Sequence, residues 1–242
     1  MNYYFSENKQ IKLYNENCLV IMQNLINIGM KDKIDLIICD PPYRVTSRGS
    51  AGNSGGMLQD KLNKQGKVFK HNDLKSKDFF PLIYKLLKDG GHCYIMCNHT
   101  NLHNYLDVAK EVGFRFIKSL IWNKGNKIMG QFYMSQFEYI LFFRKGKGVK
   151  INNCGTSDIL SVPNIKLKDK DGKPIHPCFK PINLIKILIE NSSKDNDLVL
   201  DFAMGTGSTA IACKETNRRF IGIELDEKYY EIARKLLLGE KI

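Results

Sequence analysis

Residues 34–43 read Ile34-Asp35-Leu36-Ile37-Ile38-Cys39-Asp40-Pro41-Pro42-Tyr43. The apolar, β-branched run has the character of a strand buried on both faces of a parallel sheet. Two prolines stop it, since each fixes φ and lacks an N–H. Asp40 is thereby held at the carboxyl edge of a sheet, where open α/β folds take their ligands. The Pro41 carbonyl adds an acceptor, and Tyr43 offers a flat ring slightly further out. Two acceptors beside an aromatic face suit a planar group carrying an exocyclic amine. The plainer reading is an acid capping a turn, with tyrosine packed on the rim.

Before this stretch, residues 11–18 alternate like a short strand, and residues 19–28 place Leu19, Met22, Leu25 and Ile26 on one helical face. After it, residues 44–78 follow no period. Arg44, Arg48, Lys61 and Lys64 stand there among glycines, which reads as a long basic loop directly after the candidate site. Regularity returns with a helix over 79–87 closed by Gly90-Gly91, a strand over 93–97, a helix over 102–112, and strands over 116–122 and 138–143. Residues 145–175, which include Lys147, Lys166, Lys168 and Lys170, read as a small basic insertion rather than a second domain. Pro181 then opens a helix with Leu184, Ile185, Leu188 and Ile189 on its core face. The β/α alternation predicts one doubly wound α/β domain over 1–242.

The last third holds a second constellation. A strand over 198–202 is followed by Gly205-Thr206-Gly207-Ser208-Thr209, a helix through Lys214, a strand over 220–224 and Glu224 at its end. Glycines let backbone approach a ligand, and a helix start presents free N–H groups. A carboxylate at the end of the next strand can grip both hydroxyls of a ribose. Gly205, Gly207 and Ala210 also satisfy the dinucleotide pattern, so these residues alone leave a nicotinamide cofactor open.

Composition narrows the partner. The 242 residues carry a formal net charge of +12, which favours a polyanion, nucleic acid first. Seven cysteines without a C-x-x-C pair suit free thiols in a reducing cytoplasm. His92, Cys93, Cys97 and His99 are close in sequence but lack zinc-finger spacing, and no metal is expected. No signal peptide is expected, and no apolar run is long enough to span a membrane.

Taken together, the motifs resemble a known family. Asp40-Pro41-Pro42-Tyr43 comes early, and His176-Pro177-x-x-Lys180-Pro181 stands just ahead of a late glycine loop. Ile121-Trp122-Asn123-Lys124 and the strand from Glu138 to Phe143 lie between. This order is similar to that of the β-group of S-adenosylmethionine-dependent DNA amino-methyltransferases, over nearly the whole chain. The resemblance implies a Rossmann-like methyltransferase sheet. It makes Asp40, Pro41, Pro42 and Tyr43 the catalytic group. It assigns S-adenosylmethionine to Asn17, Cys39, Asp40, His176, Lys180, Asp201, Phe202, Ala203, Gly205, Gly207, Ser208, Thr209, Glu224 and Leu225. It puts double-stranded DNA against Arg44, Arg48, Lys61, Lys64, Lys147, Lys166, Lys168 and Lys170, with 145–175 in the place of the target-recognition region. It also implies a separate cognate endonuclease and allows a homodimer.

The sequence departs from the family pattern twice. Asn17 stands where the family has an Asp that reaches the cofactor's adenine amine, and Ala203 where it often has Phe, with Phe202 beside it. The implied product is N6-methyladenine, with N4-methylcytosine the alternative. Methylation of RNA or of a protein amide, and a DNA-binding homologue impaired in transfer, are the rival readings.

Overall fold

The computed structural model describes residues 2–6, 10–43, 74–128, 133–165 and 179–240. Asn2–Phe5 (β1) and Ile11–Asn15 (β2) form a hairpin, followed by Cys18–Leu25 (α1) and Ile34–Cys39 (β3). Next come Ser76–Leu86 (α2), Leu87–Cys97 (β4), His99–Val112 (α3), Arg115–Ile128 (β5), Ser135–Arg144 (β6) and Ile159–Ser161 (β7). The last third supplies Ile182–Ser192 (α4), Leu198–Asp201 (β8), Ser208–Glu215 (α5), Arg219–Glu224 (β9) and Glu227–Leu238 (α6). The nine described strands make one sheet in the order β1-β2-β9-β8-β3-β4-β6-β5-β7. Strands β2, β9, β8, β3 and β4 are parallel, and β6 runs antiparallel to both of its neighbours.

Side-chain parity sorts the core into two layers. Ile37 and Cys39 of β3 face α1, α2 and α3, in a cluster with Met22, Phe79, Phe80 and Tyr105. Leu36 and Ile38 face the other way, toward α4, α5 and α6, with Trp122, Leu184, Leu188 and Tyr230. Because successive strand residues alternate, parity puts Asp40 on the α4 side. The same count puts Trp122, Lys124, Glu138 and Ile140 on that side. The strand order reverses between β3 and β8, which lie side by side with Leu36 opposite Val199 and Ile37 opposite Leu200. Both candidate motifs therefore leave the sheet at one crevice, the switch point of a doubly wound fold.

Two expectations change. The helix read over 19–28 ends at Leu25, and Ile26–Met30 forms one wider turn around Gly29, whose φ is +89°. Gly90-Gly91 do not close α2. That helix passes straight into β4, and the glycines sit in a bulge where Ile34 pairs with Leu87 but Leu36 with His92. Gly90 has φ +75°, and a Cβ there would stand 2.8 Å from a methyl of Val149. The described part of 145–175 is tied to the sheet and its helices. Lys145 donates to Asp32 (2.5 Å) and to the carbonyls of Tyr84 (2.6 Å) and Leu87 (2.7 Å). Asn152 bonds the carbonyls of Glu190 and Ser193, and β7 then pairs with β5. Polar residues that read as a loop thus serve as staples and an edge strand. No described helix is long and apolar enough to cross a membrane.

Candidate active site

Asp40 emerges from β3 into a buried charge network. Its Oδ2 accepts from Lys180 Nζ, and Lys180 in turn stands 3.4 Å from Glu138 Oε2. Glu138 Oε1 accepts from Lys124 Nζ. Both ammoniums lie against the Trp122 ring, Lys124 at 5.1 Å and Lys180 at 5.8 Å from its centroid, the range of a cation–π contact. Trp122 is opposite Glu138 in the β5–β6 register, and Lys124 is two residues on, so one sheet face carries all three. The other carboxylate oxygen, Asp40 Oδ1, is buried without a hydrogen-bond partner among the described residues. Burial pushes the Asp40 carboxyl up, with Lys180 pulling against it. Burial would raise Glu138 too, but Lys180 and Lys124 hold it below the ordinary carboxylate range. Tyr43 and Pro42 line a cleft of about 510 Å³ with Leu74, Asn104 and Tyr105, on the α2–α3 side of the loop.

Beside this, the glycine loop is tied to Glu224. Glu224 Oε2 accepts from the Gly205 N–H at 2.9 Å, and Oε1 from the Asp226 N–H at 2.8 Å. Burial raises its carboxyl to about 7 against those two donors. Asn15 donates to the carbonyls of Glu224 and Leu225, which ties β2 to this corner. Asn17 follows β2 at the same edge, where its side chain accepts from Leu19 N–H and caps α1. Leu225 is 43% exposed, an apolar surface next to the acid. Ala203 is half-buried above β8.

Several assigned residues turn their side chains toward the scaffold. Asp201 is buried, accepting from Thr209 Oγ1 (2.6 Å), Ala203 N–H (3.1 Å) and the Cys39 thiol. Burial takes its carboxyl to about 6. It braces the turn from beneath, as do the buried Ser208 and Thr209. Phe202 is only 1% exposed and packs on Phe79 at 5.0 Å, so its ring belongs to the core. Cys39 is equally buried, which leaves its backbone alone for a ligand. Lys180, assigned to the cofactor, stands with Asp40. Lys147 abuts Gly90, at the amino end of β4, so it lies away from the Asp40 edge and does not join the site. Arg44, Arg48, Lys61, Lys64, Lys166, Lys168, Lys170 and His176 lie outside the described residues. His92 and Cys93 belong to opposite faces of β4, with His92 bonded to Ser192 and the Val149 carbonyl. Lys124 and Glu138 were missed as site residues. Their signal was a charge two residues from a large apolar residue on the same strand face, Lys124 after Trp122 and Glu138 before Ile140.

Gly207 shows why the loop needs its second glycine. Its φ is +83°, and a Cβ would lie 2.9 Å from Ala233 Cβ and 3.3 Å from Ala233 Cα, pushing α5 off α6. Gly207→Ala is expected to cost about 1–3 kcal/mol of stability through overpacking. Urea unfolding checks this, and an unchanged midpoint would refute the steric account.

The glycine loop with its Glu224 and the Asp40 acid thus meet at one switch-point crevice. A family model described as DNA methylase, for N6 and N4 methyltransferases, matches residues 34–235. The chain is 29% identical to the Type II methyltransferase M.HinfI of Haemophilus influenzae, over 85% of this chain and 63% of that protein. It is 27% identical to the Type II methyltransferase M2.MboI of Moraxella bovis, over 96% and 89%. Among solved structures, the M1.HpyAVI–SAM complex superposes with TM-score 0.68 at 24% identity, covering 93% of this chain and 99% of that one. The cytosine-N4-specific PvuII DNA methyltransferase gives 0.69 at 16%, covering 96% and 94%. These two likenesses define the fold. The chain belongs to the DNA methylase family, and it is a DNA methyltransferase.

Proposed function

We propose that the protein transfers a methyl group from S-adenosylmethionine to the N6 amine of adenine in double-stranded DNA, on a base turned out of the helix. The observation that carries this reading is the buried, unpartnered Oδ1 of Asp40 beside the Glu224 corner. The residues present fit the cofactor. Glu224 offers acceptors for a ribose, Leu225 an apolar contact for a purine, Asn17 an acceptor for an adenine amine, and the Gly205 turn a close backbone approach. Bound S-adenosylmethionine supplies a methyl made electrophilic by its sulfonium.

The chain's own residues do the rest. A base amine is a poor nucleophile, because its lone pair is delocalised into the ring. Asp40 Oδ1 accepts one N–H, the Pro41 carbonyl the other, and the nitrogen lone pair is freed toward the methyl. The amine gains the methyl and loses one proton, which Oδ1 is placed to take. Alignment and fixed dipoles therefore provide the acceleration. Tyr43 supplies a stacking face that repays part of the few kcal/mol of base flipping.

Adenine is favoured because, in the resembling family, Asp before Pro-Pro-Tyr goes mostly with adenine. Arg44, Arg48, Lys61, Lys64, Lys166, Lys168 and Lys170 are proposed to neutralise phosphates. The Type II names of the relatives support a restriction–modification role with a separate endonuclease. A reducing cytoplasm is proposed as the protein's compartment, on seven cysteines without a C-x-x-C pair. Nucleoside digestion and mass spectrometry of DNA methylated in vitro is expected to give N6-methyladenine. N4-methylcytosine in its place would overturn the choice of base, and no methylated base at all the whole reading.

A further inference from the structure

The fold brings Lys180 to Asp40 from far along the chain. Lys180 comes 140 residues after Asp40, in the segment leading into α4, yet only 7% of it is exposed. Its ammonium meets Asp40 Oδ2 on one side and Glu138 on the other, over the Trp122 ring. Lys124, itself 9% exposed, fixes Glu138 from beyond. Two cations thus answer two anions in a row, Asp40–Lys180–Glu138–Lys124. A buried row of this kind is a poor source of stability, since desolvation offsets its attraction. Its effect falls on how Asp40 is oriented and charged. A carboxylate torsion is soft and its two oxygens are equivalent. Tying Oδ2 leaves Oδ1 alone to face a ligand, and Oδ1 is the oxygen left buried without a partner.

We propose that Lys180 is the positioning residue of methyl transfer: it clamps Oδ2 of Asp40 so that only Oδ1 meets the base amine, and the Glu138–Lys124 pair holds the clamp. This rests on the reading that Asp40 receives that amine. The clamp also favours the ionised form of Asp40 in a setting that opposes it. Besides burial, Asp40 faces Glu138 on β6, Asp201 on β8, Cys39 on its own strand, Cys97 on β4 and Tyr105 on α3. Lys180 and Lys124 are the cations among these charged neighbours that act in its favour.

The signs are therefore opposite for two neighbouring substitutions. Lys180→Met removes the cation, so Asp40 protonates more readily and its midpoint rises. Glu138→Gln removes an anion while keeping the shape, so the midpoint falls. Carboxyl-labelled aspartate, followed by carbon NMR in the ligand-free protein, reads this without any turnover. Asp40 is identified as the resonance lost in Asp40→Asn. A charge at this range moves a carboxyl by ~1–3 units, and a rise of about one unit or more is expected in Lys180→Met. Single-turnover methyl transfer is expected to carry the same displacement on its acid limb, while calorimetry gives an unchanged S-adenosylmethionine affinity.

Midpoints that coincide with wild type, or that move together, overturn the clamp, as does a Lys180→Met whose rate loss is matched by lost cofactor affinity. If Lys180→Met does not fold, the isosteric Glu138→Gln decides alone, and its midpoint must fall. A wild-type protein that methylates no base defeats the functional reading instead, and the titration still judges the electrostatic clamp.

Discussion

Asp40→Ala is expected to slow methyl transfer by ~10²–10³ while S-adenosylmethionine still binds, the usual loss when one preorganised polar group leaves a reacting centre. The carboxylate is in place before any ligand arrives. Oδ2 is tied to Lys180, and Oδ1 is already desolvated, so no reorganisation is needed at the moment of reaction. Asp40→Asn is expected to do no better than alanine. The Lys180 ammonium requires an acceptor, so the amide turns its oxygen there and presents its NH₂ to the base amine, donor against donor. Folding is expected to survive both changes, because Glu138 remains 3.4 Å from Lys180 to answer its charge. Single-turnover rates under saturating cofactor, with binding measured separately by calorimetry, check this. A variant that transfers methyl at near the wild-type rate would remove Asp40 from the chemistry.

What the sequence revealed and what it hid divide along physical lines. Asp40, its two prolines and the Gly205–Glu224 unit were legible because each is a local device, a stopped strand or a strand–turn–helix with an acid at a set distance. The two-layer core was legible from apolar runs that contact order does not disturb. The clamp was not, since it brings together residues 40, 124, 138 and 180, and only the sheet order β3-β4-β6-β5 makes them neighbours. Its trace is parity: Asp40, Trp122, Lys124 and Glu138 all fall on the α4 face once the strands are aligned. Gly90-Gly91 misled because two glycines after a helical face read as a stop, while here they serve a bulge. Strand β7 spans three residues, too short for any period to show. Phe202 follows β8 among cofactor-type residues, and that its ring packs on Phe79 in the core could not be read from its neighbours.

Cofactor affinity is expected to weaken as pH falls below about 7, because the Glu224 carboxyl, raised by burial, takes up a proton there. The two backbone donors at Gly205 and Asp226 leave each oxygen with further acceptor capacity, so the ionised form can still receive two ribose hydroxyls. Protonation places a donor where an acceptor is required. If the protonated form does not bind, linkage makes the loss approach tenfold per pH unit below the midpoint. Hydrogen bonds to a charged group are worth about 1.5–3 kcal/mol, so Glu224→Gln is expected to weaken binding roughly 10–100-fold and to flatten the dependence. The same shift acts on the fold with a definite sign. A carboxyl raised from its unfolded value to about 7 stabilises the native state below the unfolded pKa, and that contribution is lost as pH rises through the folded one. Asp201, raised to about 6, acts in the same direction. Acidifying from pH 7 toward 5 is thus expected to strengthen these two contributions to folding while loosening the cofactor. Calorimetric titration with S-adenosylmethionine across that range, in wild type and Glu224→Gln, separates the two effects. Parallel pH curves in the two proteins would show that another group governs binding.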